Sequence, residues 1–155
     1  MSIAYLNGAW QPVEETSIPV LDRGFLFGDG VYEVIPAYSG KAFRLKEHLQ
    51  RLERNLAAIR IDMPLTQDEW KTIIERLIED QGPLDQALYL QVTRGVAPRR
   101  DHAFPAGVKP TVFAMTNPLP EPDPDRDRQG YAAITVSDER WNNCHIKAIT
   151  LLARP

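Results

Sequence analysis

One lysine in an apolar stretch is the residue best suited to covalent chemistry. Lys147 lies in the stretch CHIKAITLL. In strand alternation, Ile149 and Leu151 share its side, whereas Ile146 and Leu152 take the other side. A lysine on an apolar strand usually extends its charged end to the surface. A desolvated lysine instead favours the neutral amine, which can attack a carbonyl and form a Schiff base. The residues alone leave both interpretations open.

A proline-braced loop with basic side chains is the second candidate. The stretch TRGVAPRRDHAFP carries Arg94, Arg99, Arg100 and His102. Arginine pairs bind carboxylates through parallel hydrogen bonds, and a histidine can add a further donor. The alternative is an exposed basic loop without a ligand. We favour the functional interpretation, because loops hold binding residues more often than cores do.

An arginine at the edge of an apolar helix face is the third candidate. Arg51 lies in EHLQRLERN, between Leu49 and Leu52. A guanidinium in that position could hold a phosphate with two parallel hydrogen bonds. Taken alone, this position favours a solvated or salt-bridged helix arginine.

A glycine-rich stretch before a strand is the fourth candidate. In DRGFLFGDGVYEV, glycines surround Asp29, and Tyr32 and Glu33 follow on opposite faces of the predicted strand. Glycine permits close approach of a backbone to a ligand. Taken alone, the glycines favour a tight turn entering a strand, and Tyr32 is either a ligand contact or a half-buried strand tyrosine.

The elements that must position these residues predict an α+β domain. The stretch IAYLNGAW predicts a hairpin turning at Asn7-Gly8, and VYEVIPAYSGKAFRL predicts a second strand pair turning at Ser39-Gly40. Further β-rich runs are ALYLQVTRG and TVFAMT. A mostly antiparallel sheet, with helices on one side, is the architecture that this order favours.

Two helices are predicted between these strands. Apolar residues recur at three- and four-residue steps in the first helix, at Leu45, Leu49, Leu52, Leu56 and Ile59. The second begins at Thr66, whose spacing from Glu69 is that of a capping box, and Gly82-Pro83 ends it.

The composition indicates three segments. Residues 1–117 form the predicted N-terminal domain, and the proline-rich residues 118–130 form a predicted linker. Residues 131–155 are expected to be the first strands of a second, incomplete domain, with strands at 131–137 and 145–152. Such strands would leave open edges.

Charge and apolar patterning narrow the class of protein. A formal net charge of -3 without a basic block argues against nucleic-acid binding, and no apolar run is long enough to cross a bilayer. With no signal-peptide pattern at the start and one cysteine, Cys144, we expect a cytoplasmic protein. No metal site is predicted.

Taken together, these stretches resemble the class IV aminotransferases, the fold-type IV enzymes dependent on pyridoxal 5'-phosphate (PLP). The resemblance rests on RGFLFGDGVYEV, EHLQRL, YLQVTRGVAPRRDHAFP and RWNNCHIKAITLL, in this order. It is strongest toward the D-amino acid transaminases. Branched-chain aminotransferases and aminodeoxychorismate lyases share most of the stretches more loosely.

The resemblance implies a role for each candidate residue. Lys147 matches the lysine that bonds to PLP as a Schiff base, and Arg51 matches the arginine at the cofactor phosphate. Tyr32 matches a tyrosine that faces the substrate carboxylate. The loop matches a pair that binds this carboxylate from the neighbouring subunit of a homodimer, with His102 and either Arg99 or Arg100 as the pair.

The resemblance also implies a longer enzyme. Family members continue for about another domain, roughly 100–150 residues, which supplies a glutamate and further phosphate donors. We therefore expect this chain alone to have weak or no transaminase activity. A non-enzymatic interaction module is the alternative from another class of protein.

Overall fold

One antiparallel sheet organises the chain. The computed structural model describes residues 2–137 and 142–150. Its strands are β1 (Ile3–Leu6), β2 (Ala9–Pro12), β3 (Gly30–Tyr38), β4 (Lys41–Ala42), β5 (Gln86–Thr93) and β6 (Thr111–Pro118). They form a six-stranded sheet in the order β2-β1-β6-β5-β3-β4, and neighbouring strands are antiparallel. The predicted α+β class is confirmed.

Two tight turns fix the register of the hairpins. Leu6 pairs with Ala9 across Asn7-Gly8, and Tyr38 pairs with Lys41 across Ser39-Gly40. All four turn residues have positive φ, which is the geometry of the two-residue hairpin turn whose twist matches the strands. Both predicted turns are confirmed.

The two long helices cover one face of the sheet. Helix α2 spans Leu45–Ala58, and helix α3 spans Gln67–Gln81 with Thr66 as its N-cap and Glu69 completing the capping box. Gly82 ends α3. The apolar faces of both helices are buried against alternate residues of β3, β5 and β6, and the largest core side chains include Trp70, Ile35, Leu52, Leu77 and Leu90.

Two short helices add to the predicted set. Helix α1 (Arg23–Phe27) occupies the glycine-rich stretch, and helix α4 (Pro124–Gln129) lies within the predicted linker. Asp123 caps α4, because its side chain accepts hydrogen bonds from the amides of Asp125 and Arg126. The whole of α4 is exposed.

The end of the chain differs from its predicted strands. Residues 131–137 are exposed and form no strand, so the strand prediction there is wrong. Alternating apolar residues can favour an extended chain, but a strand needs a pairing partner, and these residues have none among those described. The predicted strand at 145–152 is reduced to one bridge, between Ala148 and Val31, and its residues 151 and 152 lie outside the described part. The three-segment division remains a prediction.

The helices that the structure describes are too short or too polar to span a membrane. Within residues 2–137 and 142–150, no helix combines the length and apolar character needed to cross a bilayer.

Candidate active site

The segment that carries Lys147 runs along the edge of β3. The Tyr32 amide donates to the Lys147 carbonyl at 3.1 Å, and the Ile149 amide donates to the Gly30 carbonyl at 3.1 Å. These two bonds flank the bridge between Val31 and Ala148. β4 pairs only with the far end of β3, at residues 37 and 38, so the edge near Gly30 is available for this segment. The backbone of Lys147 is therefore fixed to the start of β3.

The Lys147 side chain lies over an aromatic ring. Its Nζ is 3.7 Å from the centroid of the Tyr32 ring, and the residue is partly buried. The Tyr32 ring is 5.7 Å from that of Tyr89, which is 6.3 Å from that of Phe113. These rings cross β3, β5 and β6 on the face of the sheet opposite the helices. The amine thus ends on a partly apolar aromatic surface.

Tyr89 extends this surface with a polar group. Its hydroxyl donates to Gln91 Oε1 at 2.5 Å. Burial raises the pKa of the Tyr89 phenol, and the neighbouring Tyr32 hydroxyl acts in the same direction. The phenol of Tyr89 is therefore a hydrogen-bond donor at neutral pH.

Arg51 is held by a buried carboxylate on the other face of β3. The Glu33 side chain is 0% exposed, and it accepts from Arg51 Nε at 2.6 Å and from Arg51 Nη2 at 2.6 Å. The hydrogen bonds from Arg51 to Glu33 raise the pKa of the guanidinium, although partial burial opposes them. His48 Nδ1 also lies 2.9 Å from Glu33 Oε2.

This geometry refines the expectation for Arg51. The sequence predicts that the Arg51 guanidinium holds a phosphate with two parallel hydrogen bonds. In the structure, Nε and Nη2 of this guanidinium already donate to Glu33. Nη1 makes no hydrogen bond within the part of the chain that the structure describes, and the Arg51 side chain is 45% exposed. It lines a groove on α2 with Arg44, Glu47, His48 and Arg54. Arg51 therefore offers a rigid, permanently charged edge to an anion rather than its whole fork.

The side chains of β3 alternate between its two faces, and this alternation separates the two candidate cofactor contacts, Lys147 and Arg51. Tyr32 and Glu33 are consecutive, so they project from opposite faces of the strand. Lys147 is anchored at Tyr32, and Arg51 is anchored at Glu33. Both groups are thus attached to the same short length of β3.

The glycine-rich stretch forms helix α1, and the glycine that ends this helix lies close to Thr150. Asp22 caps α1, and Gly28 ends it with a φ of 64°. A Cβ atom built on Gly28 would lie 2.1 Å from Thr150 Cγ2. The absence of a side chain at Gly28 therefore lets the segment that carries Lys147 approach. The tight turn before β3 is therefore present at Gly28. The same glycine also leaves room for Thr150.

A buried ionic cluster around Asp29 was missed in the sequence. Asp29 accepts from Arg23 Nε at 2.7 Å, from Arg94 Nε at 2.8 Å and from Arg94 Nη2 at 3.0 Å. Burial raises the pKa of Asp29, but the hydrogen bonds and charges of the two arginines outweigh burial and lower the pKa below its ordinary value. Arg94 was grouped with the basic loop, and this is corrected: it is buried against Asp29 rather than offered to a ligand.

The loop residues predicted to bind a carboxylate lie at the surface. Arg99 is 81% exposed and pairs with Asp101 at 3.2 Å. The Arg100 guanidinium lies 4.8 Å from the Phe27 ring, and the His102 ring lies 5.6 Å from it. Among the described residues, no hydrogen bond, ion pair or ring contact joins the three loop side chains to the Tyr32 ring or the lysine.

The acidic, histidine and cysteine side chains do not form a metal centre in the described ranges. No group of three or more of them is arranged there to hold a metal ion.

Similar proteins place this arrangement in a family. The family model for amino-transferase class IV matches residues 30–154. The D-alanine aminotransferase of Staphylococcus epidermidis is 39% identical over 98% of this chain and 54% of the relative. The D-alanine aminotransferase of Bacillus licheniformis is 43% identical over 94% of this chain and 51% of the relative. The chain therefore belongs to the class IV aminotransferases, and it spans about half the length of the curated relatives it matches.

A solved structure agrees with this assignment. The branched-chain aminotransferase of Thermoproteus uzoniensis, solved with norvaline, is 26% identical, with a TM-score of 0.68, over 78% of this chain and 42% of that chain. Class IV aminotransferases depend on PLP.

Proposed function

We propose that this chain forms the lysine-bearing part of a PLP-dependent transaminase. The proposed reaction transfers the amino group of a D-amino acid, such as D-alanine, to a 2-oxo acid. The observation that carries the proposal is the position of Lys147, whose Nζ lies over the Tyr32 ring on the edge of β3. The similarity to two D-alanine aminotransferases supports the D-amino acid.

The chemistry of the available groups fits PLP. The cofactor has an aldehyde and a phosphate, and the chain offers a primary amine at Lys147 and a guanidinium at Arg51. Glu33 and His48 restrict the Arg51 side chain before any ligand binds, so little rotamer entropy is left to lose. Lys147 and Arg51 are anchored to consecutive residues of β3 that face opposite sides of the sheet, so a ligand that meets both groups would have to reach around the edge of this strand.

Each residue has a distinct proposed role. Bound PLP would supply the electron sink for the bond broken at the substrate Cα. Lys147 would hold the cofactor, and its amine, once released, would take the proton from Cα. Tyr32 would form the wall beside the amine, and Arg51 would bind the phosphate. His102, with Arg99 or Arg100, would orient the substrate carboxylate.

The loop is proposed to act on a neighbouring copy. Its exposed side chains do not reach Lys147 of their own chain among the described contacts, whereas their exposure lets them contact a second copy. This supports a homodimer, in which each copy completes the site of the other. The homodimer and the cytoplasmic location both remain predictions.

Two enzymatic alternatives share the fold. A branched-chain aminotransferase would accept L-leucine in place of D-alanine, and the similarity to the Thermoproteus uzoniensis enzyme is the observation in its favour. An aminodeoxychorismate lyase would release pyruvate without an amino acceptor. A non-enzymatic interaction module would bind no PLP.

A spectroscopic titration separates these possibilities. PLP is added to the chain, and the absorbance of the bound cofactor is followed in the unsubstituted protein, in Lys147→Ala and in the control Lys46→Ala, which changes an exposed lysine of α2. We expect the bound-cofactor absorbance in all but Lys147→Ala, and a change in that absorbance on adding D-alanine. A change with L-leucine alone would favour the branched-chain alternative, and no PLP absorbance in any variant would favour the module.

A further inference from the structure

Two buried arginines converge on a single carboxylate before β3. Asp29 Oδ2 accepts from both Arg23 and Arg94, and the arginine side chains are only 4% and 9% exposed. Unpaired charges are unfavourable in such a setting, so Asp29 is needed to keep both guanidinium groups inside. Asp29 also lies directly before the strand that carries Tyr32.

One of these arginines extends from Asp29 to the candidate carboxylate loop. Arg23 Nη1 donates to the Asp101 carbonyl at 2.6 Å and to the Ala103 carbonyl at 3.3 Å. These carbonyls lie on either side of His102. Arg23 therefore holds the loop by its backbone, independently of the loop's exposed side chains.

The other arginine connects the cluster to α2 and to the end of the loop. Arg94 donates to the carbonyls of Ile59 and Arg60, at 2.7 Å and 3.1 Å, just after α2. Its guanidinium carbon also lies 3.9 Å from the centroid of the Phe104 ring. The loop is thus attached at Phe104 as well as at its 101–103 backbone.

Helix α1 adds a third attachment. The centroid of the Phe27 ring is 4.7 Å from the Arg23 guanidinium, 4.8 Å from the Arg100 guanidinium and 5.6 Å from the centroid of the His102 ring. The Arg100 and His102 side chains therefore contact a helix whose first residue, Arg23, is bound by Asp29.

We propose that Asp29 is a positioning residue for substrate binding: through Arg23 and Arg94 it fixes the loop of residues 99–104 in the orientation that binds the substrate carboxylate. This inference rests on the proposed function. Asp29 touches neither substrate nor cofactor, and its effect passes through two arginines to a loop that serves the neighbouring copy. Loss of Asp29 should then weaken substrate binding without weakening PLP binding.

Limited proteolysis tests the attachment without the cofactor. Trypsin cleavage after Arg99 and Arg100 is timed in the unsubstituted chain, in Asp29→Asn and in Arg23→Lys, with cleavage after Arg128 in exposed α4 as the internal reference. Arg23→Lys retains a positive charge for Asp29 but loses the planar group that reaches the loop carbonyls. Both variants should be cut in the loop at least ten times faster, and the control Asp85→Asn should not.

Ligand titration tests the role in binding. In the PLP-loaded chain, the apparent Kd for D-alanine, followed by cofactor absorbance, should rise at least tenfold in Asp29→Asn and Arg23→Lys. The Kd for PLP should stay within twofold. Circular dichroism checks that each variant folds. If Asp29→Asn does not fold, the Kd for D-alanine in Arg23→Lys tests whether the Asp29 cluster positions the loop.

The outcomes distinguish this inference from the proposed function. If the loop is cut faster but D-alanine binds normally, Asp29 is structural only and the positioning role is wrong. Unchanged cleavage in both variants would also overturn it, whatever the affinity. If the unsubstituted chain binds neither PLP nor D-alanine, the proposed function fails, while the cleavage rates still report whether Asp29 holds the loop.

Discussion

The Nζ of Lys147 lies 3.7 Å from the centroid of the Tyr32 ring, although the two residues are far apart in the sequence. Backbone hydrogen bonds to the edge of β3 bring them together, because that edge is not taken by β4 at its Gly30 end. The candidate chemistry of this chain therefore depends on a short edge pairing as much as on the lysine itself.

Replacing Gly28 should displace the segment that carries Lys147. A methyl group at this position would meet Thr150, and the φ of 64° adds strain of about 1–2 kcal/mol. Gly40→Ala is the matched control, because its φ of 76° brings similar strain with no atom within 4 Å. We expect Gly28→Ala to weaken PLP binding in an absorbance titration at least tenfold and Gly40→Ala to leave it unchanged. Equal effects of the two substitutions would contradict the packing role of Gly28.

Removing the charge of Arg51 should weaken binding of the cofactor phosphate. A hydrogen bond to a charged group contributes about 1.5–3 kcal/mol, so Arg51→Gln should raise the Kd for PLP by about ten- to a hundredfold. Lys46→Gln, on the same helix but outside the groove, controls for net charge. Pyridoxal without its phosphate should bind equally to the unsubstituted chain and to Arg51→Gln. A loss of affinity for pyridoxal as well would show that Arg51 acts on something other than the phosphate.

The stability contributed by Asp29 should depend on pH in one direction. Its pKa is lowered in the folded chain from an ordinary value of 3.8, so the contribution is present above that value and is lost as pH falls through the lower, folded pKa. Asp29→Asn should therefore cost about 3 kcal/mol of unfolding free energy at pH 7, where the buried arginines lose their partner. The difference from the unsubstituted chain should shrink below about pH 4.

Urea unfolding at a series of pH values from neutral to acidic measures this difference. Asp85→Asn, which removes an exposed carboxylate that accepts one backbone hydrogen bond, is the control and should cost less than about 1 kcal/mol. A difference that stays constant throughout the acidic range would show that the Asp29 pairing does not contribute in the way the geometry indicates.

Local signals in the sequence were sufficient for most of the fold. The Asn7-Gly8 and Ser39-Gly40 turns were predicted because their residues tolerate positive φ, and α3 was predicted from its capping box. These signals lie within a few residues of the structure that they specify. The strand predicted at 131–137 was wrong because alternation describes a preference for extended chain, whereas a strand requires a partner that is distant in the sequence.

The candidate residues were proposed from local patterns, and their assignment to a site stays a prediction. Lys147, Arg51 and Tyr32 were found from their residue types and the family resemblance. Each lies in a short stretch whose pattern is visible without any knowledge of its neighbours in space. Their catalytic and binding roles remain predictions.

The connections within the site were not predictable from local patterns. The pairing of Glu33 with Arg51, and of Asp29 with Arg23 and Arg94, joins separate elements, so no short stretch reports it. Ion pairs of this kind form only when the strands and helices pack together. The sequence shows which residues are charged, but it does not show which of them will pair.

Chemical trapping of the cofactor tests the central claim most directly. The chain is mixed with PLP, reduced with borohydride, digested and examined by mass spectrometry, alongside Lys147→Ala. We predict a stable phosphopyridoxyl group on the peptide that contains Lys147 in the unsubstituted chain, and none in Lys147→Ala. Attachment at another lysine, or equal labelling of Lys147→Ala, would contradict the assignment of Lys147 as the residue that holds the cofactor.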